Sequence, residues 1–307
     1  MATAGVGLVS PFLAYTQKNI AFRADSEFSA DKDWQQVLKE VPLDGSFSKA
    51  FQRYQELVGL GPMAKWQEGK TATPDQFKMG PKKDLWLIQY GTQATFGRQI
   101  TRLLQYPLIG AVGGELGYSA NLTLNQLASI ILDNATATTY HSGADTTALL
   151  SASHTTYGEG AASWNNIISS NAALGYAALQ DAFVVAENTV NLRGYSKPVK
   201  LSKAIVPTAL MNTIKVLIET PYKPGTDAND ISTTFKTLTF DLNHYMTQSA
   251  YWFVRSEDHM VVISFLDKFA TKTWADNDTE SVTTRGSMWF LHGIFTQRGW
   301  TGSTGAA

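Results

Sequence analysis

The longest regular run of apolar positions in this chain extends from Pro107 to Ala135. Ile109, Val112, Leu116, Ala120, Leu124, Leu127 and Ile131 are three or four residues apart. That spacing places them on one face of a 3.6-residue period and predicts a single long helix, with Pro107 in a first turn where its missing N–H costs nothing. Gly110, Gly113, Gly114 and Gly117 fall in its first half. Each costs about 1 kcal/mol relative to alanine in a helix interior, so the pattern implies that another backbone packs closely there. A glycine run also invites a dinucleotide-binding reading. That reading needs a strand directly before the glycines and a βαβ frame, and Arg102 to Pro107 supplies neither.

Before this helix the pattern is fragmentary. From Met1 to Leu43 only Trp34, Val37 and Val41 share a short helical face, capped by Ser29 or Asp31, so the segment reads as an extended arm. Its acidic residues Asp25, Glu27, Asp31 and Asp33 read as a solvated face. A second short helix is expected from Ser46 to Leu57. Met63 to Lys70 and Leu85 to Ile100 have strand composition and flank Thr71 to Lys83, which is rich in Gly, Pro and Lys: a long hairpin. Such a ribbon has no core of its own and needs another surface to lie on. Its lysines, taken singly, serve solubility and edge protection.

After the long helix, residues Ala137 to Asn166 read as loop. A second amphipathic helix, Asn171 to Val190, carries Ala172, Tyr176, Leu179, Phe183, Ala186 and Val190 on one face. A strand at Lys203 to Val206 leads to a third helix opened by Pro207, with Leu210, Ile214, Leu217 and Ile218 inward, and the loop Pro221 to Asp230 follows. The rest is strand: Leu238, Phe240 and Leu242; Ala250 to Val254 and Met260 to Phe265 about the turn Ser256, Glu257, Asp258; then Val282 to Arg285 and Met288 to Phe295. Helices and strands are both present, and the fold class expected is α+β.

Composition narrows the function classes. With 44% hydrophobic and 17% charged residues the chain is a folded globular protein. A net charge of −1 leaves no overall electrostatic footprint of a nucleic-acid binder, so any DNA contact would be local. Cysteine is absent, which removes disulfides and thiolate metal sites and points to a reducing compartment. Met1 to Tyr15 lacks a basic lead and an apolar run, so neither export nor membrane insertion is expected. His244, His259 and His292 are scattered singly, which argues against a metal site, and no paired carboxylates suggest acid and base roles. No cofactor is expected. The enzyme alternative is a cytosolic hydrolase using His154 or His141 with Asp145, since His154 lies between Ser153 and Thr155 with Glu159 nearby. No hydrolase motif frames these residues.

The order of parts then acquires meaning: an arm, a basic hairpin, one long helix, a mixed α/β lobe and returning strands. It resembles the major capsid protein of tailed bacteriophages, the Hong Kong ninety-seven fold, and especially the branch of Mu-like major head subunits. Trp66, Gln67, Glu68 and Gly69, leading through the hairpin to Phe96, Gly97, Arg98, Gln99 and Ile100, resemble that branch's E-loop and its return. Leu149 to Gly160, with Ser153, His154 and Thr155, resembles the segment after the family's spine helix, where a Phe-Ser-x-x-His stretch is frequent. Arg298, Gly299, Trp300, Thr301, Gly302 and Ser303 resemble its Gly-rich C-terminal strand and tail.

The resemblance implies an N-terminal arm and lead-in at 1–61, an E-loop hairpin at 62–104, a P-domain spine helix at 105–136, an A-domain at 137–265, and returning P-domain strands with a C-terminal tail at 266–307. It implies a structural, non-enzymic subunit that self-assembles into hexamers and pentamers of an icosahedral shell enclosing double-stranded DNA. On this reading Trp66, Lys70, Phe77, Lys78, Lys82 and Trp86 of the E-loop, with Phe12 and Trp34 of the arm, contact neighbouring subunits. The further partners are packaged DNA, held weakly and non-specifically, and separate scaffolding, portal and cement proteins. The location is the virion capsid, assembled in the bacterial cytoplasm. An encapsulin-like nanocompartment shell shares the fold and is the second alternative. No E-loop crosslink is expected, because Lys70 and Lys78 have no identifiable partner.

Overall fold

The computed structural model describes residues 6–29, 32–43, 50–71, 74–97, 106–157, 163–222, 231–232, 234, 236–276 and 281–305, with the backbone alone at 6–16, 106–109, 170 and 276. Asp31, Ser46, Arg98, Glu159, the loop residues 223–230 and the side chains of Phe12 and Ile109 therefore lie outside the described residues.

Among the described residues, α1 (Val6–Phe28), α2 (Trp34–Val37), β1 (Lys39–Glu40), a hairpin taken up below and a strand at Ile88–Phe96 precede the long helix. The long helix itself, α3, runs over Tyr106–Asp133, close to the span its periodicity predicts. Leu124, Ala128 and Leu132 are fully buried, and Leu116, Ala120 and Ile131 nearly so.

The glycines of α3 have a structural counterpart that the apolar pattern does not show. A Cβ on Gly113 would stand 2.8 Å from Ile20 Cα, and one on Gly117 would stand 2.8 Å from the carbonyl carbon of Ala24. The two backbones approach closely because only glycine leaves room. Ile20 and Ala24 of α1 are fully buried against this face. The region expected to be an arm contains a helix instead of irregular chain, since residues 6–28 form α1, packed on the spine. Asp33 departs from the expected solvated face as well. It is 7% exposed and accepts from His244 Nδ1 at 2.8 Å and Gln36 Nε2 at 2.8 Å.

Two sheets complete the body. The first has the order β1, β8 (Met260–Asp276), β9 (Ser281–Thr296), β4 (Ile88–Phe96). β4 pairs antiparallel with β9 from Ile88↔Phe290 to Phe96↔Val282. Both long strands outrun their expected lengths. β8 continues well beyond Phe265, and β9 is unbroken through Gly286 and Ser287. Gly286 is an accommodation for packing, because a Cβ there would lie 2.7 Å from the Phe269 ring. Phe269, Met288, Phe290 and Ile294 meet Leu116, Leu124 and Ile131 of α3 in one core.

The second sheet has the order β10 (Trp300–Ser303), β7 (Trp252–Arg255), β5 (Lys203–Pro207), β6 (Thr239–Asn243), with β5 and β6 parallel. Helices α4 (Tyr176–Glu187) and α5 (Met211–Glu219) form a separate core with it, in which Leu179, Ala182, Ile214, Leu217, Val206 and Trp252 are buried. β10 joins this sheet by pairing with β7. Its Trp300 reaches back into the first core. Burying a side chain of this size contributes about 1.5–3 kcal/mol or more, so the C-terminal strand ties the two lobes.

Candidate functional site

The hairpin forms one strand earlier than the sequence suggests. β2 (Phe51–Val58) pairs antiparallel with β3 (Lys78–Trp86), from Phe51↔Trp86 to Val58↔Lys78. The expected helix over Ser46 to Leu57 and the expected strand at Met63 to Lys70 are both corrected. Phe51, Tyr54, Leu57 and Val58 have helical spacing, yet Phe51 meets Trp86 across the ribbon at 5.0 Å between ring centroids. Pro81 is tolerated in β3 because the two-stranded ribbon leaves a free edge. Gly80 sits where a Cβ would come 2.8 Å from the carbonyl oxygen of Glu56, beside the register irregularity between Gln55 and Leu57.

The base of the ribbon is fastened to the body. Leu85 is buried with Val262 and Leu291. The Tyr54 ring lies 5.4 Å from that of Phe295. Arg298 Nη1 donates to Glu56 Oε2 at 3.2 Å, and Lys83 Nζ donates to Ser142 Oγ at 3.0 Å. A second fastening lies at the root of the connecting loop, where Arg193 Nη1 and Nη2 donate to the two Asp75 oxygens at 2.6 and 3.0 Å. Asp75 also accepts the Gly61 N–H at 2.8 Å. The Arg193 hydrogen bond, above all, holds the Asp75 carboxyl down at about 2.

Beyond these fastenings the chain covers little. Met63 is fully exposed, Met79 is 73% exposed, and Trp66 and Phe77 are each 67% exposed. Leu57 and Leu60 extend the apolar set. Large exposed apolar groups gathered on one element mark an interaction surface. Of the residues singled out from sequence, Trp66, Lys70, Phe77, Lys78, Lys82 and Trp86 all lie exposed on this hairpin and its loop. Trp66 Nε1 donates to the Lys70 carbonyl, which curls the loop tip. Trp34 does not belong with them. It is 4% exposed in the chain's own core, edge-on to Phe265, and its backbone N–H donates to Asn125 Oδ1 at 2.8 Å. Leu57, Leu60, Met63 and Met79 were not singled out. Their signal was apolar side chains interleaved with Gly59, Gly61, Pro62 and Gly80, a composition that turns rather than packs.

His154, the candidate base, is enclosed in the fold. It is fully buried and stacked on Trp164 at 4.3 Å, and its backbone bridges to that of Trp164. Nδ1 lies 3.0 Å from Asp145 Oδ2 and 2.8 Å from Thr147 Oγ1, while Nε2 lies 2.9 Å from Asn166 Oδ1. Asn166 is itself fixed, since its Nδ2 donates to the Leu149 carbonyl at 2.7 Å and its Oδ1 accepts from Ser151 N–H. Burial raises the Asp145 carboxyl, but hydrogen bonds from His154, Thr147 and Gln297 outweigh it and hold the group at about 2. A general base must reach a substrate proton. Here both ring nitrogens are engaged inside the protein, and the cluster ties the loop after α3 to the end of β9 through Gln297. His141, the other candidate, is paired with His292 at 5.0 Å between ring centroids rather than with Asp145.

No family model matches the sequence, and no curated protein matches it. Solved structures do. The capsid of Ralstonia phage GP4 superposes with a TM-score of 0.55 at 12% identity, covering 87% of this chain and 86% of that one. The capsid of cyanophage P-SCSP1u gives a TM-score of 0.54 at 10% identity, covering 87% and 85%. The virus-like particle from Pyrococcus furiosus gives 0.52 at 9% identity, covering 93% and 98%. These structures do not single out the Mu-like branch. The likeness runs nearly end to end on both sides, and at such identities it establishes architecture: this chain has the Hong Kong ninety-seven fold found in tailed-phage capsids.

Proposed function

We propose that the chain is a major capsid protein, a structural and non-enzymic subunit that assembles with copies of itself into the hexamers and pentamers of an icosahedral shell around double-stranded DNA. The observation that carries this reading is the hairpin tip. On a fold shared almost end to end with capsid subunits, Leu57, Leu60, Met63, Trp66, Phe77 and Met79 project from an element whose own body leaves them uncovered. A neighbouring copy is the occupant that satisfies them, and in a closed shell many such modest contacts add by multivalency. The contact residues on this reading are Trp66, Lys70, Phe77, Lys78, Lys82 and Trp86. The divisions proposed with it keep the spine helix, the A-domain and the returning strands, with α1 in the arm region and the ribbon at 51–86 as the E-loop. The separate scaffolding, portal and cement partners belong to the same reading, as does a virion location after assembly in the bacterial cytoplasm. DNA inside is held through scattered lysines and arginines, weakly and without sequence preference.

Electron microscopy of the purified chain is the test. Closed shells of hexamers and pentamers are expected, and a monodisperse monomer at high concentration would contradict the reading. The encapsulin-like alternative is separated by particle contents, nucleic acid in one case and a folded protein cargo in the other.

A further inference from the structure

A hollow of about 270 Å³ lies away from the hairpin, between β1 with the segment before it and the turn that joins β7 to β8. Gln35, Lys39, Glu40, Arg255, Glu257 and His259 line it. Arg255 is 9% exposed, and its Nε is taken out of water. Among the described residues its hydrogen bonding is one long contact, Nη1 to the Ser256 carbonyl at 3.4 Å, and Nε has no acceptor. Two of the carboxylates nearby are engaged elsewhere, and the third, Glu257, acts on Arg255 from the exposed rim. Asp241 accepts from Lys203 Nζ at 2.7 Å, and Glu40 accepts from Lys268 Nζ at 2.8 Å. Glu257 is an exposed turn residue that offers its backbone carbonyl to Lys39 Nζ at 3.1 Å.

Lys39 thus leans over the same hollow as Arg255. His259 completes the wall. It is 2% exposed, set edge-on to Trp300 at 5.4 Å, and its Nδ1 accepts the Val261 N–H at 3.4 Å. Burial first, then Arg255 and Lys39, push its imidazole down to about 3. Burial likewise lowers Arg255, with Asp241 and Glu257 opposing. A buried guanidinium N–H without an acceptor is costly, and the cost falls when an anion supplies one. A planar guanidinium beside a lysine ammonium matches the several acceptor oxygens of a phosphate group.

We propose that this hollow is an oxyanion site that takes a phosphate group, held by Arg255 and Lys39 with His259 against it. The inference is independent of the shell reading. Two sources share this chemistry, free inorganic phosphate and the phosphodiester of a nucleic acid backbone. Isothermal titration of the full-length chain with inorganic phosphate is expected to show saturable one-site binding. Lys39→Gln, at a residue that is only half-buried, weakens it about tenfold, the loss expected of one charge-assisted contact. Arg255→Gln abolishes it. Lys272→Gln, on an exposed stretch of β8 outside the hollow, leaves it unchanged. A short DNA duplex that displaces the bound phosphate identifies the phosphodiester as the source, and failure to displace it identifies the free ion. Absence of phosphate binding to the unsubstituted chain, or equal binding by Lys39→Gln, overturns the proposal.

Discussion

The base and the tip of the β2–β3 hairpin lie on one ribbon and are held by different means. At the base, Leu85 is buried with Val262 and Leu291, Tyr54 lies on Phe295, and Glu56 pairs with Arg298, so the strands are stabilised by their own chain. At the tip, Met63, Trp66 and Phe77 bury little, and beyond the Asp75 and Arg193 clamp little of the body holds the loop. On the proposed function, stability of the subunit and association between subunits are thereby separated along a single element. A substitution at one end reads out folding, and one at the other end reads out assembly.

The largest effect expected from that separation follows excision of residues 62–71, which removes the tip and spares Asp75 and β3. The shortened chain should unfold at the same denaturant concentration as the full one and form no shells under electron microscopy. Intact particles would remove the distinction between base and tip. The converse change is Leu85→Ala. It empties a buried site at the base and should cost about 2–5 kcal/mol in urea unfolding.

A third expectation concerns pH. Burial, and secondarily Lys83, holds His141 down at about 4, while burial and then His141 hold His292 at about 3. The unfolded chain takes protons on both rings below about 6.5, whereas the folded chain refuses them until about 4 at His141 and about 3 at His292. Their contribution to stability is therefore complete above pH 6.5 and is lost as pH falls toward 4. Urea midpoints at pH 7 and pH 5 should differ accordingly. His141→Gln should reduce the difference, and an unchanged slope would show that the pair does not couple the base to pH. The smallest effect is expected of Met63→Ser, within about 0.5 kcal/mol of the parent in subunit stability, as for surface positions generally.

Residues whose partners lie on one regular face were legible in the sequence. Leu116, Leu124 and Ile131 announced α3 because burial on one side writes a 3.6-residue period. α5 was legible for the same reason, through Ile214, Leu217 and Ile218. α1 was not, since its contact with α3 is made by Ile20 and Ala24 against glycines. Small residues packed backbone to backbone carry almost no hydropathy signal, and the glycines showed only that something approached. β2 was misread because a free two-stranded ribbon buries neither face fully, which leaves Phe51, Tyr54 and Leu57 without a period of two. The tip's role was legible only in part. Trp66 and Phe77 stood out as aromatics, whereas Met63 and Met79 gained meaning once their exposure was visible. Little local marked Asp145 and His154 as a tie, for that depends on Asn166 across the same loop and on Gln297, far along the chain.

The central claim, that a second copy covers the hairpin tip, is tested most directly at Met63. The chain contains no cysteine, so Met63→Cys introduces a unique thiol. Its rate of reaction with a maleimide is measured in dissociated subunits and in purified particles. The thiol should react freely in subunits and at least about tenfold more slowly in particles, because a neighbour excludes the reagent. Equal rates in the two states would show that the tip stays uncovered after assembly, and would contradict the claim.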